Sequence, residues 1–310
     1  MSGPSSASQL RAYDRGVRDP SPRLRGRHPV TTRSARRRAL PLAVGGAALL
    51  LALTACSSSS DDDSSSAPAA SRTSGAATSE SASPQVSGTI TVFAAASLKE
   101  TFTTLGQQFE AAYPGTKVTF NFGGSDTLAA SITSGAPADV FAAASPATMK
   151  TVTDAGDGQG DPSTFVRNQL EIATLPGNPE HIATLKDLTK SGLKVALCAK
   201  TVPCGSAVQK ALTASNLTLT PVSYEQDVKS ALTKVELKEV DASVVYQTDV
   251  KAAGGKVDGV QFPESAGAIN DYPIVALKDA PNAAGAQAFI ALVKSAEGQK
   301  VLSDAGFLNP

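Results

Sequence analysis

The chain has 310 residues, 28 basic and 28 acidic side chains and hence no formal net charge, and 41% of it is apolar, enough to bury one or two cores. Beyond residue 88 there is neither a basic patch nor interleaved aromatics, which excludes a nucleic-acid binder, and no Walker A pattern, which excludes an ATPase. The one histidine in that region, His181, stands in a Pro-rich turn and no GxSxG elbow occurs, so a Ser-His-Asp hydrolase lacks its base.

Residues 1–88 differ from the rest. Arginine is frequent before residue 39, an apolar run fills 39–55, and the run closes on Leu53-Thr54-Ala55-Cys56. A basic segment, a short apolar segment and small residues before a cysteine form a bacterial lipoprotein signal. Residues 1–55 are therefore expected to be removed and Cys56 to become the lipidated first residue. A retained anchor is the weaker alternative, because the run is barely long enough to span a bilayer. The N-terminus is over-long for such a signal; one beginning at Val30 has ordinary proportions, and the flanks of Arg36-Arg37-Arg38 match twin-arginine export poorly. Residues 56–87 are Ser, Ala, Thr, Gly and Pro around Asp61-Asp62-Asp63, too polar to offset chain entropy, and are expected to form a disordered tether.

The folded part opens at residues 89–102, TITVFAAASLKETF. Ile90 to Ala96 is apolar without alternation, a strand covered on both faces as in a parallel sheet between helices. At Ser97 the period becomes helical, with Phe102, Leu105 and Phe109 on one face, and Ser97 with Glu100 has the spacing of a capping box. A serine at such a junction either caps the helix or holds an anion, because free N–H groups and the positive dipole end project from the carboxyl edge of the sheet. Residues 116–122 read as a second strand, Gly123-Gly124-Ser125 repeat the junction, and a helix follows over 126–133. Residues 139–144 form a third buried strand before a helix from Pro146 to Asp154.

Glycines mark 157–161 as a loop, and new elements start near Leu170. A strand over 194–198, helices over 206–214 and 226–235 and a strand over 242–246 continue the βα rhythm in a second sheet. A segment at 272–277 and helices over 283–294 and 297–305 return more easily to the first sheet. The pattern predicts an α/β chain of two lobes, 88–167 with 264–310 and 168–263, closing on a ligand in the cleft between them. With Cys56 assigned to lipid, Cys198 and Cys204 remain as a pair in an oxidising compartment, and a disulfide is their natural reading. Zinc is the rival, but two thiolates with only His181 nearby in sequence are a poor ligand set. Carboxylates such as Glu236, Glu239 and Asp241 read as a solvated face.

The stretches TVFAAASLKETF, FGGSDTLAASITSGAPADVFAAAS, TVPCG, EQDVKSAL, VVYQTDV and the closing AGF resemble the periplasmic molybdate-binding proteins of molybdate ABC transporters, in unbroken order over 89–308. The resemblance implies a two-lobed type II periplasmic-binding-protein fold that holds an oxyanion in its cleft, with no cofactor and no catalytic residue. It places hydroxyl and main-chain donors at Ser97 and Ser125, main-chain N–H donors at Cys204 and Val228, and a hydroxyl donor at Tyr246. Molybdenum is then held only as its oxyanion, with no direct protein ligand. The implied partners are molybdate or tungstate, an ABC permease and the membrane through the lipid on Cys56, and the protein is expected to be an extracytoplasmic monomer anchored to the cell membrane. Asp126, beside Ser125, is expected to face outward. The alternatives are the same fold on another oxyanion such as sulfate, an exported serine hydrolase using Ser97, and a purely structural surface lipoprotein.

Overall fold

The structure, a computed structural model, describes residues 86–310. The expected signal, Cys56 and all of the tether before Val86 lie outside the described residues. In chain order the elements are β1 Gly88–Ala95, α1 Lys99–Ala112, β2 Thr116–Gly123, α2 Ser125–Thr133, β3 Val140–Ala142, α3 Pro146–Asp154, β4 Gly158–Asn168, β5 Leu170–Thr174, β6 Val195–Cys198, α4 Pro203–Ala214, β7 Ser223–Glu225, α5 Val228–Glu236, β8 Ala242–Tyr246, α6 Gln247–Ala252, β9 Asp258–Val260, β10 Asn270–Leu277, α7 Ala283–Lys294 and α8 Ala296–Asp304. Short 3-10 turns occupy Ala96–Leu98, Leu185–Thr189 and Pro263–Ala268.

The strands form two five-stranded sheets, ordered β2-β1-β3-β10-β4 and β7-β6-β8-β5-β9. β1 is parallel to both of its neighbours, whereas β10 runs antiparallel to β3 and β4, so the first sheet is mixed. Helices cover both of its faces. Ile90, Val92 and Ala94 face the larger core, and Phe93 faces a smaller one with Leu128, Ile132, Phe141, Met149 and Val152. Two-sided burial is the physical reason that 90–96 shows no polar alternation. On the larger side Phe102 of α1 meets Phe165 of β4 at 5.9 Å and Phe289 of α7 at 5.7 Å, edge to face in the second case, which fixes both helices on the sheet.

The glycines at 157–161 do not mark a loop. They open β4, which pairs along β10 from Gly158 opposite Leu277 to Asn168 opposite Asn270, with two register shifts. As an edge strand whose first half faces solvent, it carries no apolar pattern to read. β4 ends at Asn168 and β5 begins at Leu170, so the chain crosses to the second sheet there and returns through Pro263–Ala268 into β10. Because Asn168 and Asn270 are ladder partners, the two crossings lie side by side and form one hinge.

The lobes are closed on one another. Lys229 Nζ of α5 lies 2.9 Å from Glu100 of α1, and Thr201 Oγ1 donates to Asp126 of α2 at 3.4 Å. On the hinge side Gln247 Nε2 donates to the Gly306 carbonyl and Lys251 Nζ to the Asp304 carbonyl, both at 2.6 Å.

Candidate functional site

Five strand-to-helix junctions end at the cleft. Ser97 lies in the 3-10 turn leading into α1, Ser125 is the first residue of α2, Cys204 the second of α4 and Val228 the first of α5, while Tyr246 immediately precedes α6. The first N–H groups of a helix have no partner within it and carry its partial positive charge. All five residues line one cavity of about 220 Å³ between the lobes, together with Gly124, Ala144, Val202 and Asp227. Only about 20 Å³ of that space admits the centre of a water-sized sphere, so the occupant is small.

The lining contains no Lys, Arg or His. Its one carboxylate, Asp227, is committed to capping α5, where it accepts from the Ser230 N–H and hydroxyl at 2.9 Å each. Donors come instead from hydroxyls and helix ends. Ser97, Ser125 and Tyr246 are each at most 4% exposed, so any solvent-facing role is ruled out for them. Ser125 Oγ accepts the Ala144 N–H at 3.0 Å, and Tyr246 Oη accepts from Asn270 Nδ2 at 2.7 Å. Ser97 Oγ lies 2.8 Å from Tyr272 Oη, which in turn accepts from Asn168 Nδ2 at 3.3 Å. Burial pushes the phenols of Tyr246 and Tyr272 well above their ordinary range, so both keep their protons.

Ser97 does not cap α1. The residue preceding that helix is Leu98, no side-chain cap bond is made, and the capping box read at Ser97 and Glu100 is absent, because the 3-10 turn carries the serine into the protein interior. Glu100 pairs with Lys229 instead. Asp126 is likewise not where the sequence suggested. It complements the first turn of α2, but its carboxylate lies against the second lobe, with Oδ2 near Thr201 and Oδ1 buried without a hydrogen-bond partner. It is outside the cavity lining.

Cys198 and Cys204 are joined in a disulfide that ties the end of β6 to the first turn of α4. The following Gly205 packs against the Ala199 carbonyl so closely that any side chain would collide with it, which holds the α4 terminus down on the strand end. Next to Val228, Lys229 binds the wholly buried Asp249 at 3.0 Å as well as Glu100. Burial pulls the Lys229 ammonium down, but Asp249 and Glu100 outweigh it and its pKa stands above the usual value. Burial pushes the Asp249 carboxyl up, against the pull of Lys229.

Sequence reasoning missed Tyr272 and Asn270, which contact the Ser97 and Tyr246 hydroxyls from behind, and Asn168, which donates to Tyr272. Tyr272 sits in an apolar strand and the two asparagines stand at segment ends, where Asn ordinarily reads as a turn residue. Only knowledge that the two crossings are adjacent makes them visible.

Two α/β lobes joined by paired crossings and closed on a donor-lined cavity define a solute-binding protein of the type II periplasmic-binding-protein fold. The chain belongs to the bacterial extracellular solute-binding proteins, whose family model matches residues 90–308. It is 43% identical over 234 residues to the molybdate-binding protein ModA of Mycobacterium bovis, covering 76% of this chain and 90% of that one. The likeness read from the motifs is thereby borne out. Among solved structures, the periplasmic molybdate-binding protein of Azotobacter vinelandii superposes with a TM-score of 0.63 at 22% identity, covering 71% of this chain and 99% of that one. The sulfate-binding protein SubI of Mycobacterium tuberculosis H37Rv gives 0.61 at 19% identity, covering 71% and 86%. At such identities the two structures establish the fold and not the ligand.

Proposed function

We propose that the protein is a lipid-anchored extracytoplasmic receptor that binds molybdate, and tungstate with it, by closure of its lobes and delivers the oxyanion to the permease of an ABC transporter. The observation that carries this reading is the convergence of Ser97, Ser125, Cys204, Val228 and Tyr246 on one small cavity without a cationic side chain. A tetrahedral dianion presents only acceptors. Three hydroxyls and the N–H groups at Cys204 and Val228 satisfy them while the closed lobes exclude water. Identity to ModA supports molybdate as the ligand. Lobe I is taken as 88–167 with 264–310 and lobe II as 168–263, so each lobe supplies part of the site. Removal of residues 1–55, lipid on Cys56 and a tether over 56–87 rest on the sequence pattern around LTAC, and the receptor acts as a monomer.

The test is titration calorimetry against molybdate, tungstate, sulfate and phosphate in one buffer. One-to-one binding of the first two, weakened about tenfold to a hundredfold in Ser97→Ala and in Ser125→Ala, is the expected result, since each hydroxyl is a hydrogen bond to a charged group. Preference for sulfate would give the fold another cargo, and silence toward all four anions would remove the function.

A further inference from the structure

We infer that the hinge asparagines Asn168 and Asn270, with Tyr272, are positioning residues that fix which way the cavity hydroxyls point, and so make the site selective for oxyanions that carry no proton. The inference rests on the oxyanion-binding reading and deepens it.

The polarity can be followed from groups that can act in one direction only. Asn270 Nδ2 faces the Pro203 carbonyl at 3.2 Å, an acceptor and nothing else, so this end of the amide is its NH2. Its other proton goes to Tyr246 Oη at 2.7 Å. With that donor behind it, the Tyr246 hydroxyl has its own proton left to donate into the cavity. Asn168 is oriented in the same manner: Oδ1 accepts the Gln169 N–H at 3.1 Å, which turns Nδ2 toward Thr248 Oγ1 at 2.8 Å and Tyr272 Oη at 3.3 Å. We take Tyr272, whose oxygen already accepts from Asn168, as the donor to Ser97 Oγ at 2.8 Å, which leaves Ser97 to direct its proton at the cavity. Ser125 needs no such relay, because the Ala144 N–H occupies its acceptor side.

Every hydroxyl of the site is thus a committed donor. A protonated oxyanion brings an O–H that finds no acceptor and stays unpaired in a closed cavity, which costs affinity. Asn168, Tyr272 and Asn270 are each at most 5% exposed, so water cannot substitute for the amide and phenol donors. Both asparagines also sit on the paired crossings. The hinge therefore supplies the donors that set the site: Asn168, at the end of β4, bonds Thr248, and Asn270, at the start of β10, bonds Tyr246 and Pro203 of the second lobe.

The experiment is calorimetry on the full chain, solubilised in detergent, at about pH 8, where molybdate is unprotonated and phosphate is chiefly the singly protonated dianion, each carrying two charges. Phosphate is measured by competition against molybdate. Tyr272→Phe removes one oxygen and frees the Ser97 hydroxyl to turn; Asn270→Asp makes Tyr246 donate to the new carboxylate instead of the cavity. Because the two anions have equal charge, any added repulsion cancels in their ratio. The expected result is that each variant, with an unfolding transition like that of the wild type, lowers the ratio of molybdate to phosphate affinity by at least about tenfold. An unchanged ratio, whether affinity is retained or falls equally for both anions, overturns the positioning role while leaving the binding function standing. A wild-type chain that binds neither molybdate nor any other tetrahedral oxyanion overturns the binding reading and the positioning role together.

Discussion

The backbone of Gly124, in the first lobe, runs so close to the Gln226 carbonyl of the second that a Cβ at Gly124 would stand 2.5 Å from that oxygen. The glycine is not there for its backbone freedom, since its φ of −61° and ψ of 130° suit any residue. It is there so that the lobes can meet. Gly124→Ala is expected to leave the ligand-free protein within about 0.5 kcal/mol of wild-type stability, yet to weaken anion binding about tenfold or more by opposing closure. Paired measurements of thermal unfolding and of affinity check this; equal loss in both would mean that the residue matters to folding and not to closing.

Lys229 is the sole cation in contact with Asp249 among the described residues, and Asp249 is wholly buried. Lys229→Met is expected to destabilise the fold by about 3–5 kcal/mol, the usual cost of stranding a buried charge. Glu100→Gln, whose side chain is half exposed, is expected to cost no more than about 1 kcal/mol. In the Lys229→Met protein burial is opposed only by the Tyr246 N–H and holds the Asp249 carboxyl further above its usual 3.8. The folded state then retains a proton that the unfolded chain gives up, so the deficit should be smallest below the unfolded value and grow as pH rises through the folded one. Urea unfolding across a pH series reads both effects.

Reduction of the Cys198–Cys204 disulfide, or its replacement by two alanines, removes a cross-link between residues six apart. In the loop-entropy account so short a loop contributes on the order of 2 kcal/mol. Unfolding should shift by that amount, and anion affinity should fall less than about tenfold, because Gly205 still seats α4 on the β6 end. A collapse of affinity with unchanged stability would assign the bond to the site alone.

The hydroxyl donors should be insensitive to pH across the ordinary range. Burial holds the phenols of Tyr246 and Tyr272 above their normal values, which extends their protonated, donating form upward in pH, and the serines do not titrate. Molybdate affinity is expected to be flat between about pH 6 and 9. A step with a midpoint near neutrality would reveal a titrating group in control of binding.

The first sheet was legible where burial on both faces leaves an uninterrupted apolar run, as at Ile90 to Ala96, and where a strand ends in a helix opened by Ser or Pro. Not legible were β4 in the first sheet and β7 and β9 in the second, edge strands with little buried surface. α6, a six-residue helix directly after Tyr246, was too short to show a period. Ser97, Ser125, Cys204, Val228 and Tyr246 stand out by likeness of motif, and the structure brings them to one cavity. What local pattern could not supply was anything that depends on the two crossings being adjacent. A capping box was read at Ser97 because spacing alone cannot tell a side chain turned to a helix end from one turned to a tyrosine 175 positions away.

The cavity lining contains no Lys, Arg or His. Discharge of a bound dianion from such a site breaks no ion pair and requires no proton to be delivered, so nothing chemical has to happen before the cargo leaves. The dwell time is set by mechanics alone: once the hinge turns and water reaches the donors, solvent replaces them one for one. On the proposed reading, a transporter that prised the lobes apart would have both the trigger and the whole of the release step in its grip.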